Sequence, residues 1–146
     1  MSQVAQPGKG GVVLAVDDDK LIRQLISAIL ETAGYTVFTA GSREQAFKTL
    51  GVMKPTLLLL DVELGQDNGY DICRDIRQAF RDLDPVIVFV TSRRTKDDVK
   101  AALDAGGHYF IVKPFSPEGL LDAISKAVIA PPPSAPIALT GEPHFS

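Results

Sequence analysis

The sequence predicts an α/β chain with a flavodoxin-like (βα)5 fold. Its sheet is doubly wound, parallel and five-stranded, in the order 2-1-3-4-5. Three observations lead there. Short apolar runs alternate five times with helical patterns, which implies right-handed crossovers and parallel pairing. The runs are apolar almost end to end, as strands covered on both faces are. Acids, a hydroxyl and an amine stand at or just past the ends of those runs, where ligands bind in open parallel sheets.

Residues 12–16 form the first apolar run. Asp19 is placed to cap the helix that follows, in which Leu21, Ile22, Leu25, Ile29 and Ala33 recur at helical spacing. Gly34 ends that helix, and residues 35–39 are the second strand. Ser42 with Gln45 has the form of a capping box for a short helix through Leu50. Four leucines, 57–60, make the third strand and deliver Asp61. Residues 69–80 read as a helix with Ile72, Ile76 and Ala79 inward. Residues 86–90 are the fourth strand, and 97–105 a helix stopped by Gly106-Gly107. Residues 109–112 are the fifth strand. Ser116 then caps a last helix with Pro117 in its first position and Leu120, Leu121, Ile124 and Val128 on one stripe.

This organisation predicts a flexible leader at 1–10, one domain at 11–130 and a Pro-rich tail or linker at 131–146, which holds five of the ten prolines. At 146 residues and 45% hydrophobic, the chain has material for one sizeable core and too much for disorder. A net charge of −3 gives no general basis for binding nucleic acid or an anionic membrane. No apolar run nears the roughly 18 residues of a membrane span, and the leader lacks a signal peptide's apolar stretch. The lone Cys73 has no internal partner and reads as a small buried filler, consistent with a cytoplasmic setting. His108 reads as an exposed residue and not a ligand. Arg93, Arg94 and Lys96 read as a solvated basic loop.

Five patches carry the chemistry: Asp17-Asp18-Asp19, Asp61-Val62-Glu63, Asn68-Gly69, Thr91-Ser92 and Lys113-Pro114-Phe115. Taken singly, each is ordinary: a triple aspartate makes a solvated turn, and Asp19 serves as a cap. Together and in this order they would face one crevice. Clustered carboxylates repel, so the crevice needs a divalent cation, and Mg2+ suits oxygen donors. Asp61 is the candidate nucleophile toward phosphorus, giving an acyl phosphate. Asp17 and Asp18 are candidate metal ligands, Asp18 in direct contact. Asp61 joins them, and the backbone carbonyl of Glu63 could complete the octahedron. Thr91 could donate its hydroxyl to a phosphoryl oxygen. Lys113 could pair with Asp61 at rest. Pro114 keeps Lys113 extended, with a trans bond as the expectation.

These motifs closely resemble the receiver domain of two-component response regulators over residues 11–130. The resemblance rests on Val16-Asp17-Asp18, the leucine run to Asp61, Gly69, Thr91-Ser92 and Lys113-Pro114-Phe115 at family-like separations. It implies that a histidine kinase or histidine phosphotransferase supplies a phosphoryl group to Asp61 with Mg2+. The module is then a phosphoacceptor and not an enzyme acting on other substrates. The resemblance also makes Thr91 and Phe110 the switch residues and Lys113 the lysine that responds to phosphorylation. Output would leave through the face of the fourth helix, fifth strand and fifth helix, toward an unknown downstream protein. No output domain is read in these residues, and a monomer or weak dimer is expected. Three departures from the family pattern stand out. Gly65 replaces a frequent proline, so the 65–68 loop is expected to be mobile. Phe110 lacks a frequent tyrosine's hydroxyl, and Glu63 adds an acid that bears on phosphoryl lifetime.

Other readings are a receiver-like interaction module that is never phosphorylated and an aspartate-nucleophile phosphatase. The phosphatase pattern wants aspartate two residues after the nucleophile, where this chain has Glu63. A flavin module of the same fold would find three aspartates where it needs a phosphate loop.

Overall fold

The computed structural model describes residues 11–92, 95–129 and 137–139. The leader, Arg93, Arg94, His144 and most of the Pro-rich segment lie outside the described residues.

The elements follow the alternation in the sequence. They are β1 (Val12–Val16), α1 (Lys20–Thr32), β2 (Thr36–Ala40), α2 (Arg43–Leu50), β3 (Leu57–Asp61) and α3 (Gly69–Ala79). Then come β4 (Val86–Thr91), α4 (Lys96–Ala105), β5 (Tyr109–Val112), α5 (Pro117–Ile129) and β6 (Ile137–Ala138). The sheet order is β2-β1-β3-β4-β5-β6, and every pairing in it is parallel. The first five strands thus take the expected order 2-1-3-4-5. The sixth is a short addition on the β5 edge, drawn from the segment read as a tail.

The sheet divides the core in two. On one face Leu14, Leu58, Leu60, Ile87, Phe89 and Phe110 pack against residues of α2, α3 and α4. On the other Val13, Leu57, Leu59, Val88 and Ile111 pack under α1 and α5. The alternation of Leu57 and Leu59 against Leu58 and Leu60 is the period-2 rule at work. All four are buried because both faces are covered.

Helix ends obey local chemistry. The Asp19 carboxylate accepts from the Leu21 and Ile22 amides, satisfying donors no helix can pair internally. At the other end of α1, Gly34 has φ +99°, its N–H donates to Glu31 O and that of Tyr35 to Leu30 O, a Schellman closure. Ser42 accepts from Gln45 N at 3.2 Å, but the Gln45 side chain accepts from Gly41 N at 2.7 Å and not from Ser42. Half of the expected capping box therefore forms. The complete box is at α4, between Thr95 and Asp98.

Three sequence expectations change. The fully buried residues of α1 are Ile26 and Leu30, with the expected Ile22 and Ile29 packed half-buried beside them, while Leu21 is 73% and Leu25 44% exposed. Apolar residues almost surround α1, so spacing alone could not say which stripe faces the sheet. His108 is partly buried, and its Nδ1 accepts from Ile87 N at 2.9 Å, closing the start of β4. The Lys113–Pro114 peptide is cis, the isomer that X–Pro bonds alone reach readily.

Candidate functional site

Register places the chemistry. Val16 pairs with Leu60, so Asp17, just past the end of β1, and Asp61, the last residue of β3, lie at the same level. Asp61 is opposite Val90, and Thr91 opposite Val112. Strand ends one, three, four and five therefore meet at one end of the sheet. The acids emerge on either side of the point where chain order reverses, as expected for this topology.

Asp17, Asp18 and Asp61 each bring one carboxylate oxygen within 4.8 Å of the others. Asp17 and Asp61 are each only 3% exposed, whereas Asp18 is open to solvent. Lys113 Nζ lies 3.3 Å from Asp61 Oδ2 and 3.8 Å from Asp17 Oδ2. One ammonium thus bridges two buried carboxylates and cannot balance both. Burial and the Asp17 charge push the Asp61 carboxyl up to about 6, against the opposing pull of Lys113 and the Glu63 N–H. Burial likewise raises Asp17, although the Asp19 N–H donates to Asp17 Oδ1 at 2.9 Å. An all-oxygen donor set with surplus negative charge fits a hard divalent cation.

The loop after Asp61 is held from both sides. Glu63 N donates to Asp61 Oδ1 at 3.3 Å, and Val62 N donates to Val90 O at 2.9 Å. Glu63–Leu64 and Asp67–Asn68 form a two-residue antiparallel ladder joined by Gly65 and Gln66. Gly65 has φ +63°, a region closed to proline, whose φ is fixed near −65°. The 65–68 segment, expected to be mobile, forms a hairpin turn, and the glycine there answers a backbone requirement. Asn68 caps α3 through Tyr70 N, and Gly69 N donates to Val62 O at 2.8 Å. A side chain at Gly69 would press on Val62 Cα at 2.8 Å and on the Asp61 backbone. Gly69 is therefore the floor on which Asp61 and Val62 rest.

Thr91 is buried and Ser92 exposed, with Ser92 Oγ 3.4 Å from Glu63 Oε1. Phe110 is wholly buried. Its ring lies 6.1 Å from that of Phe89, which in turn meets Tyr70 edge-on at 4.8 Å. Tyr70 Oη donates to Asp98 Oδ1 at 3.1 Å. The sequence reading missed Tyr70 and Asp98. Their only signals were a tyrosine in an α3 stripe and an acid at the third position of α4, both routine. Beside Lys113 lies a groove of about 370 Å3 lined by Ile22, Leu25, Ser92, Pro114 and Phe115.

Comparison with known proteins bears on the fold and the family. The family profile of the response regulator receiver domain matches residues 13–125. The chain is 34% identical over 120 residues to the phosphate regulon transcriptional regulatory protein PhoB of Pseudomonas aeruginosa, covering 82% of this chain and 52% of that protein. It is 36% identical over 112 residues to response regulator MprA of Mycobacterium leprae, covering 77% of this chain and 48% of that one. The chain spans about half the length of these curated relatives. Among solved structures, chemotaxis response regulator CheY4 of Vibrio cholerae superposes with a TM-score of 0.74 at 28% identity, over 80% of this chain and 97% of that one. With the sheet order, the crevice and the profile match in agreement, this chain belongs to the response regulator receiver domain family of two-component signalling.

Proposed function

We propose that Asp61 is the phosphoacceptor of a two-component relay. The observation that carries this reading is the buried Asp61 carboxylate with Lys113 at 3.3 Å and the Asp17 and Asp18 oxygens within 4.8 Å. A phosphohistidine on a histidine kinase or histidine phosphotransferase is the donor. An Asp61 carboxylate oxygen forms the new P–O bond as the P–N bond breaks, and the leaving imidazole keeps the electron pair.

Receiver domains bind Mg2+ in an acidic pocket, and the donor set here suits it. Asp17, Asp18, Asp61 and the Glu63 carbonyl are its proposed ligands. When bound, Mg2+ offsets charge on the phosphoryl oxygens and lets a weak nucleophile react. Lys113 screens Asp61 before transfer and pairs with the phosphoryl group afterwards. Thr91 donates its hydroxyl to a phosphoryl oxygen. The apolar groove beside Lys113, rimmed by the exposed Leu25, suits docking of the donor protein.

Transfer biases an equilibrium between two states through Thr91 and Phe110. Phe110 has no hydroxyl, so its part is packing alone. The readout surface is α4, β5 and α5, acting on a downstream protein. The module modifies no other substrate.

Incubation with acetyl phosphate and Mg2+, followed by intact-mass measurement, tests the reading. One added phosphoryl group, absent in Asp61→Asn and after chelation of Mg2+, is the expected result. No adduct and no Mg2+ binding would overturn it.

A further inference from the structure

β5 carries Phe110 and, on its outer side, another strand. Ile137 and Ala138 pair in parallel with Tyr109 and Phe110. The Leu139 N–H donates to the Phe110 carbonyl at 2.7 Å. Contacts alternate across the edge, as a strand's side chains must. Ala138 packs on the core layer that contains Phe110, and Leu139 on the layer under α5.

A bare sheet edge accepts extended chains. Here this chain's own segment occupies it, with a strand of only two residues. So few interactions place it among the segments that open most readily. Phe110 is thereby held twice. Its carbonyl is fixed from outside by Leu139, and its ring from inside by Phe89. Two residues further along β5, Val112 is in register with Thr91 at the carboxylate end of the sheet.

We propose that residues 137–139 are a detachable edge strand, and that its docking on β5 and phosphorylation of Asp61 promote one another through Phe110. This rests on the phosphoacceptor reading above. The sign follows from what the strand stabilises. Docked, it fixes β5 from its outer edge and so holds Val112 beside Thr91 at the carboxylate end of the sheet, the arrangement that receives the phosphoryl group. Linkage is reciprocal, so phosphorylation tightens the strand as much as the strand favours phosphorylation.

Amide exchange at Leu139 in the full chain, with and without acetyl phosphate and Mg2+, reads docking directly. Protection is expected at rest and should rise about five-fold on phosphorylation. Two variants read the reverse direction. Leu139→Pro deletes the donated N–H, and Ala138→Asp sets a charge against the apolar layer. Each should lower the adduct fraction about five-fold at limiting acetyl phosphate, with the thermal unfolding of the sheet retained. Free-chain exchange at Leu139 at rest would overturn the docking. Protection indifferent to phosphorylation, or variants with an unchanged adduct fraction, would overturn the linkage. No adduct in the unsubstituted chain would instead sink the phosphoacceptor reading and the linkage together. The resting exchange of Leu139 would still report the docked strand, which separates the two failures.

Discussion

Asp61 is an acid in a place that resists charge. Burial and the neighbouring Asp17 charge push its carboxyl up to about 6 in the folded chain, against 3.8 for the ordinary group. The folded state therefore binds more protons than the unfolded state between these values. By linkage, stability must fall as pH rises through that window. Urea unfolding in EDTA should show a loss on the order of 2 kcal/mol from pH 4 to pH 6. Asp17, raised in the same direction, adds to the slope. Mg2+ at pH 7 should restore the loss, since a ligand of the folded state alone stabilises it. Asp61→Asn should remove most of the pH slope without Mg2+. Lys113→Met has the opposite sign. It leaves two buried carboxylates without their ammonium, and should lower EDTA stability at pH 7 by about 2 kcal/mol. Cys73 is the inert counterpart. Burial pushes its thiol up to about 11, and Sγ lies 3.2 Å from Ala105 O. A thiol reagent such as Ellman's should react with it only as fast as the chain unfolds.

At the scale of elements, the hairpin between β3 and α3 decides whether Asp61 is held or merely present. Gly69 and Gly65 serve it in different ways. Gly69 gives room, for a methyl group there would meet the Asp61 backbone and Val62 Cα. Gly69→Ala should cost about 2 kcal/mol in urea unfolding and slow adduct formation, because Asp61 must shift to admit the methyl. Gly65 gives a left-handed turn at φ +63°, so Gly65→Pro should destabilise although proline is frequent there in the family. Much at this scale was legible. Asp19, Ser42 and Ser116 announce their helices because a cap is a bond between near neighbours in sequence. The face of α1 was legible only in part, through Ile22 and Ile29. Leu21 and Leu25 are as apolar as Ile26 and Leu30, and only the sheet's position selects between them.

Across the whole molecule, a line of contacts runs from α4 to the β5 edge. Asp98 completes the capping box of α4 with Thr95 and accepts from Tyr70, Tyr70 meets Phe89, Phe89 meets Phe110, and Phe110 accepts from Leu139. Tyr70→Phe would remove one buried donor to the Asp98 carboxylate. It should lower stability by about 1 kcal/mol, measured by urea unfolding. It should also weaken the response of α4 amide exchange to phosphorylation. An unchanged exchange response would leave α4 outside the switch.

The sequence by itself determined the strand order, the convergence of Asp17, Asp18, Asp61, Thr91 and Lys113, and the family. Alternation with crossovers of one hand makes the sheet parallel, and acids after the first and third runs suit an order whose switch point lies between those strands. Tertiary structure decided the rest: the buried stripe of α1, the turn at Gly65, the Tyr70–Asp98 bond and the strand at Ile137–Ala138. Each depends on residues far apart in the chain or on a backbone angle, and neither is written in local apolar spacing. A two-residue strand among prolines has no period to read. Only the open edge of β5 gives it a place.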